Sequence, residues 1–147
     1  MKKRLAFFII VLVFVFLFVS CLGTDKVVRS LGRSNYAQIH SCNIGFDSIG
    51  YEKYRFKSPN IDKNKYFAPL ENDNMEKLLS LVETFEGYID SMETGPVAEN
   101  YDFDLNIIDA TDYAYITTEH TNDSLTGFSA YFFDVESKTL FYLYNHN

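Results

Sequence analysis

The feature that most constrains the fold is a pair of C-terminal segments, residues 128–134 and 140–144, that are apolar or aromatic on both faces. Each segment has the length and the Phe and Tyr content of a β-strand. The four residues between them, 135–138, indicate a hairpin turn. A strand with two apolar faces must be covered on both sides, or one of its faces must serve as a contact surface.

A second strong pattern is the spacing of apolar residues by three and four between residues 73 and 93. This spacing predicts one long amphipathic helix that buries a single stripe. Asp73 and Glu76 have the spacing of a capping box, and Gly95 with Pro96 would end the helix. The stripe consists of Met75, Leu78, Leu79, Val82, Phe85, Ile89 and Met92.

Two further segments complete the predicted sheet. Residues 101–108 alternate strictly between apolar and polar, residues 113–118 form the next strand, and residues 119–126 read as a polar loop. Short connections make sequential strands antiparallel neighbours. We therefore predict a two-layer α+β domain, a four-stranded antiparallel meander over residues 101–145 packed on the helix at 73–93. One or two extra strands are expected within residues 36–57.

The second face of this predicted sheet is either buried or exposed. Residues 36–57 can fold across it, which the usual burial of aromatic runs favours. Alternatively, the face is exposed and forms a partner-contact surface, because exposed aromatic patches mark binding sites. Alternation assigns five tyrosines to this surface: Tyr113, Tyr115, Tyr131, Tyr142 and Tyr144.

The N-terminus has the pattern of a targeting segment. Lys2, Lys3 and Arg4 precede fifteen apolar residues, Leu5 to Val19, which matches the charged start and apolar stretch of a signal peptide. A membrane span needs about 20 apolar residues. Extending the run through Leu22 approaches that length, so a retained transmembrane helix is the alternative. The basic start keeps the N-terminus in the cytoplasm in both cases.

The residues at the end of this run, Phe18-Val19-Ser20-Cys21, resemble the lipobox of bacterial lipoproteins. The resemblance implies that Cys21 receives a diacylglycerol and becomes the new N-terminus, which places the protein in the cell envelope, outside the cytoplasm. We predict three regions: a signal peptide or membrane anchor at 1–20, a polar tether at 21–35 and one small domain at 36–147. Cys42 lacks an intramolecular partner if Cys21 is lipidated, and a 21–42 disulfide is possible if it is not.

Charge narrows the possible partners. The chain has a net charge of -7, and without Lys2, Lys3 and Arg4 the remainder has a net charge of -10. This balance is expected to repel phosphate backbones and anionic membrane surfaces, so it disfavours nucleic acid as a ligand. It keeps the domain soluble, or it steers the domain toward a basic protein partner.

The sequence offers no constellation for catalysis, no metal-site spacing and no cofactor motif. Gly127 and Ser129 begin like a nucleophile elbow, but the second glycine is missing and the serine lies within a predicted strand. We therefore predict an envelope lipoprotein with an acidic binding domain, attached to the membrane by lipid or by its N-terminal helix. The alternatives are a carboxylate-dependent envelope hydrolase and a purely structural envelope component.

Overall fold

The computed structural model describes residues 25–44, 47–92 and 95–146. Its central element is a six-stranded antiparallel sheet with the strand order β1-β2-β6-β5-β4-β3. The C-terminal strand β6 therefore lies between the N-terminal strand β2 and strand β5. The strands are β1 (Ser34–Ile44), β2 (Asp47–Phe56), β3 (Ala68–Pro69), β4 (Tyr113–Thr121), β5 (Ser124–Asp134) and β6 (Thr139–His146).

The longer of the two α-helices within the described residues, α2 (Asn72–Asp90), covers one face of the sheet, here called the helix face. Its buried residues follow the helical repeat and pack against inward-facing residues of β5 and β6. They are Leu78, Leu81, Val82, Phe85 and Ile89. Leu79 was predicted in this stripe but is 38% exposed, because it lies one residue, about 100° of helical turn, away from Leu78.

The opposite face, here called the tyrosine face, is covered by the short helix α1 (Lys26–Ser30) and by residues 57–67. Leu31 is completely buried there, together with Val27 and Val28. The backbone N–H of Asn60 donates to the carbonyl of Leu31 at 2.9 Å, and Asn64 Nδ2 donates to Ser30 Oγ at 2.8 Å. Residues 26–31, within the predicted tether 21–35, are therefore part of the folded core.

The predicted four-stranded meander on a helix is wrong. The sheet has six strands, and β1 and β2 are eleven and ten residues long. Residues 36–57 do not fold across the second face, because β2 pairs with β6 and extends the sheet sideways. Within the predicted meander, only the sequential antiparallel arrangement of β4, β5 and β6 is as predicted. The extra strands expected within residues 36–57 are present as β1 and β2, and α2 lies where the helix was predicted.

The segment 101–108, predicted as a strand, contains a short 3-10 helix at Leu105–Ile107. The carboxylate of Asp104 accepts a hydrogen bond from the backbone N–H of Asn106 at 2.9 Å. Such a local bond offers the backbone an alternative to a sheet ladder. Phe103 is still buried, with its ring 5.0 Å from that of Phe141, whereas Leu105 is 41% exposed.

Two further local predictions are corrected. The polar loop at 119–126 is a tight hairpin, with Asn122 at φ 51° and Asp123 at φ 64° between β4 and β5. Two positive-φ residues give a turn whose twist matches the strands. Helix α2 begins after Glu71, which makes no side-chain cap hydrogen bond, so the predicted capping box at Asp73 does not define its start.

The predicted targeting segment, including Cys21, lies outside the described residues. Within the described ranges, no helix has the length and apolar character needed to cross a membrane.

Candidate functional site

The five tyrosines of the predicted contact surface lie together on the tyrosine face. Tyr115, Tyr131 and Tyr142 occupy directly opposed positions on β4, β5 and β6. The rings of Tyr131 and Tyr142 stack with centroids 4.0 Å apart and planes 5° apart. Tyr144 and His146 continue the row along β6, at 4.8 and 5.4 Å. The result is one continuous aromatic ladder across the sheet.

The centre of this ladder is inaccessible to a partner. Tyr131 is 3% exposed and Tyr142 is 7% exposed, because α1 and residues 57–67 lie over them. Tyr113, Tyr115 and Tyr144 are half-buried. Only these three could contribute directly to a contact, and only with part of their rings.

Two carboxylates each accept a hydrogen bond from one tyrosine hydroxyl of this face. Asp25 accepts from the hydroxyl of Tyr131 at 3.1 Å and also from the backbone N–H of Val27 at 2.5 Å. It therefore caps α1 and fixes the helix to the sheet. Glu52 accepts a hydrogen bond from the hydroxyl of Tyr54. Burial, and to a lesser extent the charge of Asp25, raises the pKa of Glu52, although the bond from Tyr54 opposes the shift.

These two acids form one possible carboxylate pair for the hydrolase alternative, since the charge of Asp25 acts on Glu52. Each is already engaged by a tyrosine hydroxyl of the same face. Burial, followed by the hydrogen bond to Glu52, raises the pKa of Tyr54, so this hydroxyl stays a donor at neutral pH. The bond between Tyr131 and Asp25 joins α1 to the sheet, and the bond between Tyr54 and Glu52 lies within β2. Both carboxylates therefore have a structural role.

A chain of three polar side chains lies at the open end of the ladder. Ser129 Oγ is 3.2 Å from His146 Nε2, and His146 Nδ1 is 3.7 Å from Glu119 Oε1. The order serine, histidine, carboxylate matches a nucleophile–base relay. However, β5 is paired with β4 on one side and β6 on the other. Its amide groups are therefore used in the sheet, whereas acyl transfer needs free donors for an oxyanion.

The acidic residues are distributed very unevenly. Residues 71–112 are here called the acidic layer, and their described parts, 71–92 and 95–112, form α2 and the segment that packs beside it on the helix face. They contain a single basic residue, Lys77. They also contain twelve of the 20 acids of the chain: Glu71, Asp73, Glu76, Glu83, Glu86, Asp90, Glu93, Glu99, Asp102, Asp104, Asp109 and Asp112.

A shallow groove crosses this acidic layer between α2 and the 3-10 helix at Leu105–Ile107. Leu79 and Leu105 give it an apolar floor, 38% and 41% exposed. Its other lining residues are Glu76, Ser80, Glu83 and Glu86. The sequence pattern missed this groove because Leu79 fits the helical stripe and Leu105 fits the alternation of a strand.

Metal binding has no support in the part of the chain that the structure describes, where no group of three or more His, Cys, Asp or Glu residues could hold an ion. Cys42 is a half-buried free thiol on β1. No protein-family model, curated protein or solved structure matches the chain. The uneven charge and the groove are therefore the features from which a function can be argued.

Proposed function

We propose that this protein is a cell-envelope lipoprotein, attached to the membrane through Cys21, whose acidic layer binds a basic protein partner outside the cytoplasm. The membrane attachment is supported by the charged and apolar N-terminal run and by the lipobox-like residues that end at Cys21. If the segment is not cleaved, the same run serves as a transmembrane anchor, and the domain lies on the same side of the membrane.

The groove on α2 carries the binding part of the proposal. Two exposed leucines lie among the carboxylates of Glu76, Glu83 and Glu86. Apolar contacts at the centre of an interface supply most of its affinity, and the surrounding charges supply association rate and selectivity. A groove of this composition fits a basic segment with large apolar side chains, such as an amphipathic helix.

The alternative surface is less suitable. Tyr131 and Tyr142 are buried beneath α1 and residues 57–67. Tyr113, Tyr115 and Tyr144 are half-buried, so a partner would have to displace packed segments to reach more than part of these three rings. The groove needs no such rearrangement, and most interfaces form with little backbone movement.

Site-directed photo-crosslinking in intact cells tests the binding proposal. A photoreactive residue replaces Leu79 in one full-length variant and Ile39, which is 55% exposed on β1, in the control variant. We expect a product at position 79 that is absent at 39, and the captured protein should be basic. High salt should reduce its yield because the Debye length falls from about 10 Å at 0.1 M to about 3 Å at 1 M.

Removing charges from the groove, in the variant with the photoreactive residue at position 79, tests whether recognition is electrostatic. Glu76→Gln with Glu83→Gln should reduce the crosslink at position 79, whereas Glu136→Gln, an exposed residue in the β5–β6 turn, should not. An acidic partner, or a yield that ignores both salt and the glutamate substitutions, would contradict electrostatic recognition at the groove.

The membrane attachment has an independent test. The intact mass of the protein extracted from membranes distinguishes a chain that begins with a diacylated Cys21 from an uncleaved chain. Cys21→Ala should abolish lipid attachment. A released, unmodified protein would contradict both forms of anchoring.

A further inference from the structure

The tyrosine face is covered by segments of the opposite charge to the acidic layer. Helix α1 with its flanking residues, 25–33, and the segment 57–67 are here called the basic layer. They contain two acids, Asp25 and Asp62. They also contain six of the ten basic residues that follow Ser20, all exposed: Lys26, Arg29, Arg33, Lys57, Lys63 and Lys65.

These two segments form one packed unit on the sheet. Asn60 and Asn64 bond to the end of α1, and Ile61 and Phe67 share a buried cluster with Leu31. The acidic layer lies on the other side of the sheet. The domain is therefore electrostatically polar, with a basic surface and an acidic surface separated by the sheet.

The basic layer is also the part of the domain nearest to the proposed membrane attachment. Only Leu22, Gly23 and Thr24 separate Cys21 from Asp25, the cap of α1. Four residue steps span at most about 14 Å. The start of α1 must therefore lie within about 14 Å of the point at which Cys21 enters the membrane, whether that point is a lipid or the end of a helix.

We infer that the basic layer lies against the anionic headgroups of the membrane that holds the N-terminus, and that the acidic layer faces away from it. This inference rests on the membrane attachment proposed above. The net charge of -10 for the chain after Ser20 does not oppose it, because charges beyond a Debye length of about 8 Å at physiological salt are largely screened from the surface. The nearby lysines and arginines therefore determine the interaction.

In this orientation the groove on α2 faces away from the membrane. A domain that rests on its basic layer presents α2 to the space outside the membrane, where a basic partner can reach Leu79 and Leu105. The two layers then have separate tasks, one toward lipid and one toward protein.

Hydrogen exchange of the full-length, membrane-extracted protein in lipid nanodiscs tests this orientation. One set of discs contains zwitterionic phosphatidylcholine alone, and the other contains 30% phosphatidylglycerol. We expect amides in residues 57–67 to exchange several-fold more slowly in the anionic discs. Residues 104–111, in the acidic layer, should exchange equally in both.

A charge-neutralising variant and a matched control test whether the lysines of the basic layer cause the protection in anionic discs. Lys26→Gln, Lys63→Gln and Lys65→Gln together should remove the protection, since each lysine near an anionic surface contributes roughly a fivefold factor in affinity. The control, Asn72→Asp, Lys77→Gln and Ser80→Glu, changes the net charge equally on exposed positions of α2 and should retain it.

The outcomes separate the two proposals. A protein that fails to enter discs of either composition contradicts membrane attachment itself. A protein that enters both but shows no lipid-dependent protection overturns the orientation and leaves the attachment intact. Protection of residues 57–67 by soluble polyphosphate in zwitterionic discs, with none from anionic lipid, would assign the basic layer to a soluble polyanion and also overturn it.

Discussion

The ring of Tyr144 lies over Gly50, its partner on the adjacent strand β2. A Cβ atom at Gly50 would lie 2.1 Å from Cζ and 2.3 Å from the hydroxyl oxygen of that ring. Burial raises the pKa of Tyr144, and Ser41, which pairs with Gly50 from β1, lies close enough to the Tyr144 side chain to oppose that shift. The glycine thus allows an aromatic side chain of β6 to cross β2 and contact the edge strand, an arrangement known from sheets in which an aromatic ring covers a glycine.

Gly50→Ala should therefore destabilise the domain. The added methyl group must displace the ring or the strand, and overpacking of this kind typically costs about 1–3 kcal/mol. Urea denaturation followed by circular dichroism measures the loss. Gly87→Ala is the matched control, because nothing lies within 4 Å of a Cβ there. In a helix interior this change should stabilise by about 0.5–1 kcal/mol.

The role of the ring itself can be isolated with a double-mutant cycle. In a Tyr144→Ala background, Gly50→Ala should cost much less than in the wild type, because the obstructing atoms are gone. An equal cost in both backgrounds would mean that the ring is not the reason for glycine at position 50.

A second prediction concerns Asp102, which connects the acidic layer to β2. Its carboxylate accepts from the hydroxyl of Tyr51 at 2.5 Å and from Lys53 Nζ at 2.6 Å. Tyr51 is completely buried, so Asp102→Ala should cost about 1–3 kcal/mol by removing the acceptor of its hydroxyl. Lys53→Gln should cost at most about 1 kcal/mol, since this ion pair is partly solvated.

Thermal and urea unfolding of the two variants decide between these contributions. A larger loss for Lys53→Gln than for Asp102→Ala would place the stabilisation in the ion pair instead. Asp102→Asn keeps an acceptor for Tyr51 and should fall between them.

The sequence predicted the elements that depend on local spacing and missed those that depend on distant contacts. The repeat of Leu78, Val82 and Phe85 is readable because a helix buries every third or fourth residue of its own chain. The pairing of β2 with β6 brings Tyr51 beside Leu143. No local pattern encodes such a long-range register, and β1, as an exposed edge strand, has little need for apolar alternation.

In the candidate site, too, the sequence predicted the features that depend on local spacing and missed those that depend on distant contacts. Alternation placed the five tyrosines on one face, but their burial depends on α1, a five-residue helix in a stretch that reads as polar and basic. Val27, Val28 and Leu31 are its only large apolar residues, too few for a helical signal. The opposite charges of residues 71–112 and of the basic layer were readable from the sequence, but only the fold places them on opposite sides of one sheet.

A third prediction is a pH dependence caused by Glu52. Burial raises the pKa of its carboxyl group in the folded state, so the folded protein holds this proton more tightly than the unfolded chain. The free energy of unfolding should therefore rise as the pH falls from neutral through the raised pKa toward the ordinary value of about 4.3. Glu52→Gln should flatten this part of the stability profile.

Asp112 and Asp102 also contribute to the pH dependence of the free energy of unfolding. Burial also raises the pKa of Asp112, so a slope of the same sign should remain in Glu52→Gln. Burial favours a higher pKa for Asp102 as well, but the hydrogen bonds from Lys53 and Tyr51 outweigh it and lower the pKa. Its contribution is present above about pH 3.9 and is lost as the pH falls further. A Glu52→Gln profile parallel to wild type above pH 4.3 would contradict the assignment.

The last prediction tests whether α1 belongs to the domain. Leu31 is 0% exposed, at the end of α1 and against the segment 57–67. Replacement by alanine leaves a cavity in the cluster and should cost about 2–5 kcal/mol. Ile39→Ala, at a position that is 55% exposed on β1, should cost less than about 1 kcal/mol. If both substitutions have equally small effects, residues 25–31 act as a solvated linker, and the basic layer loses the rigid support that its orientation on the membrane requires.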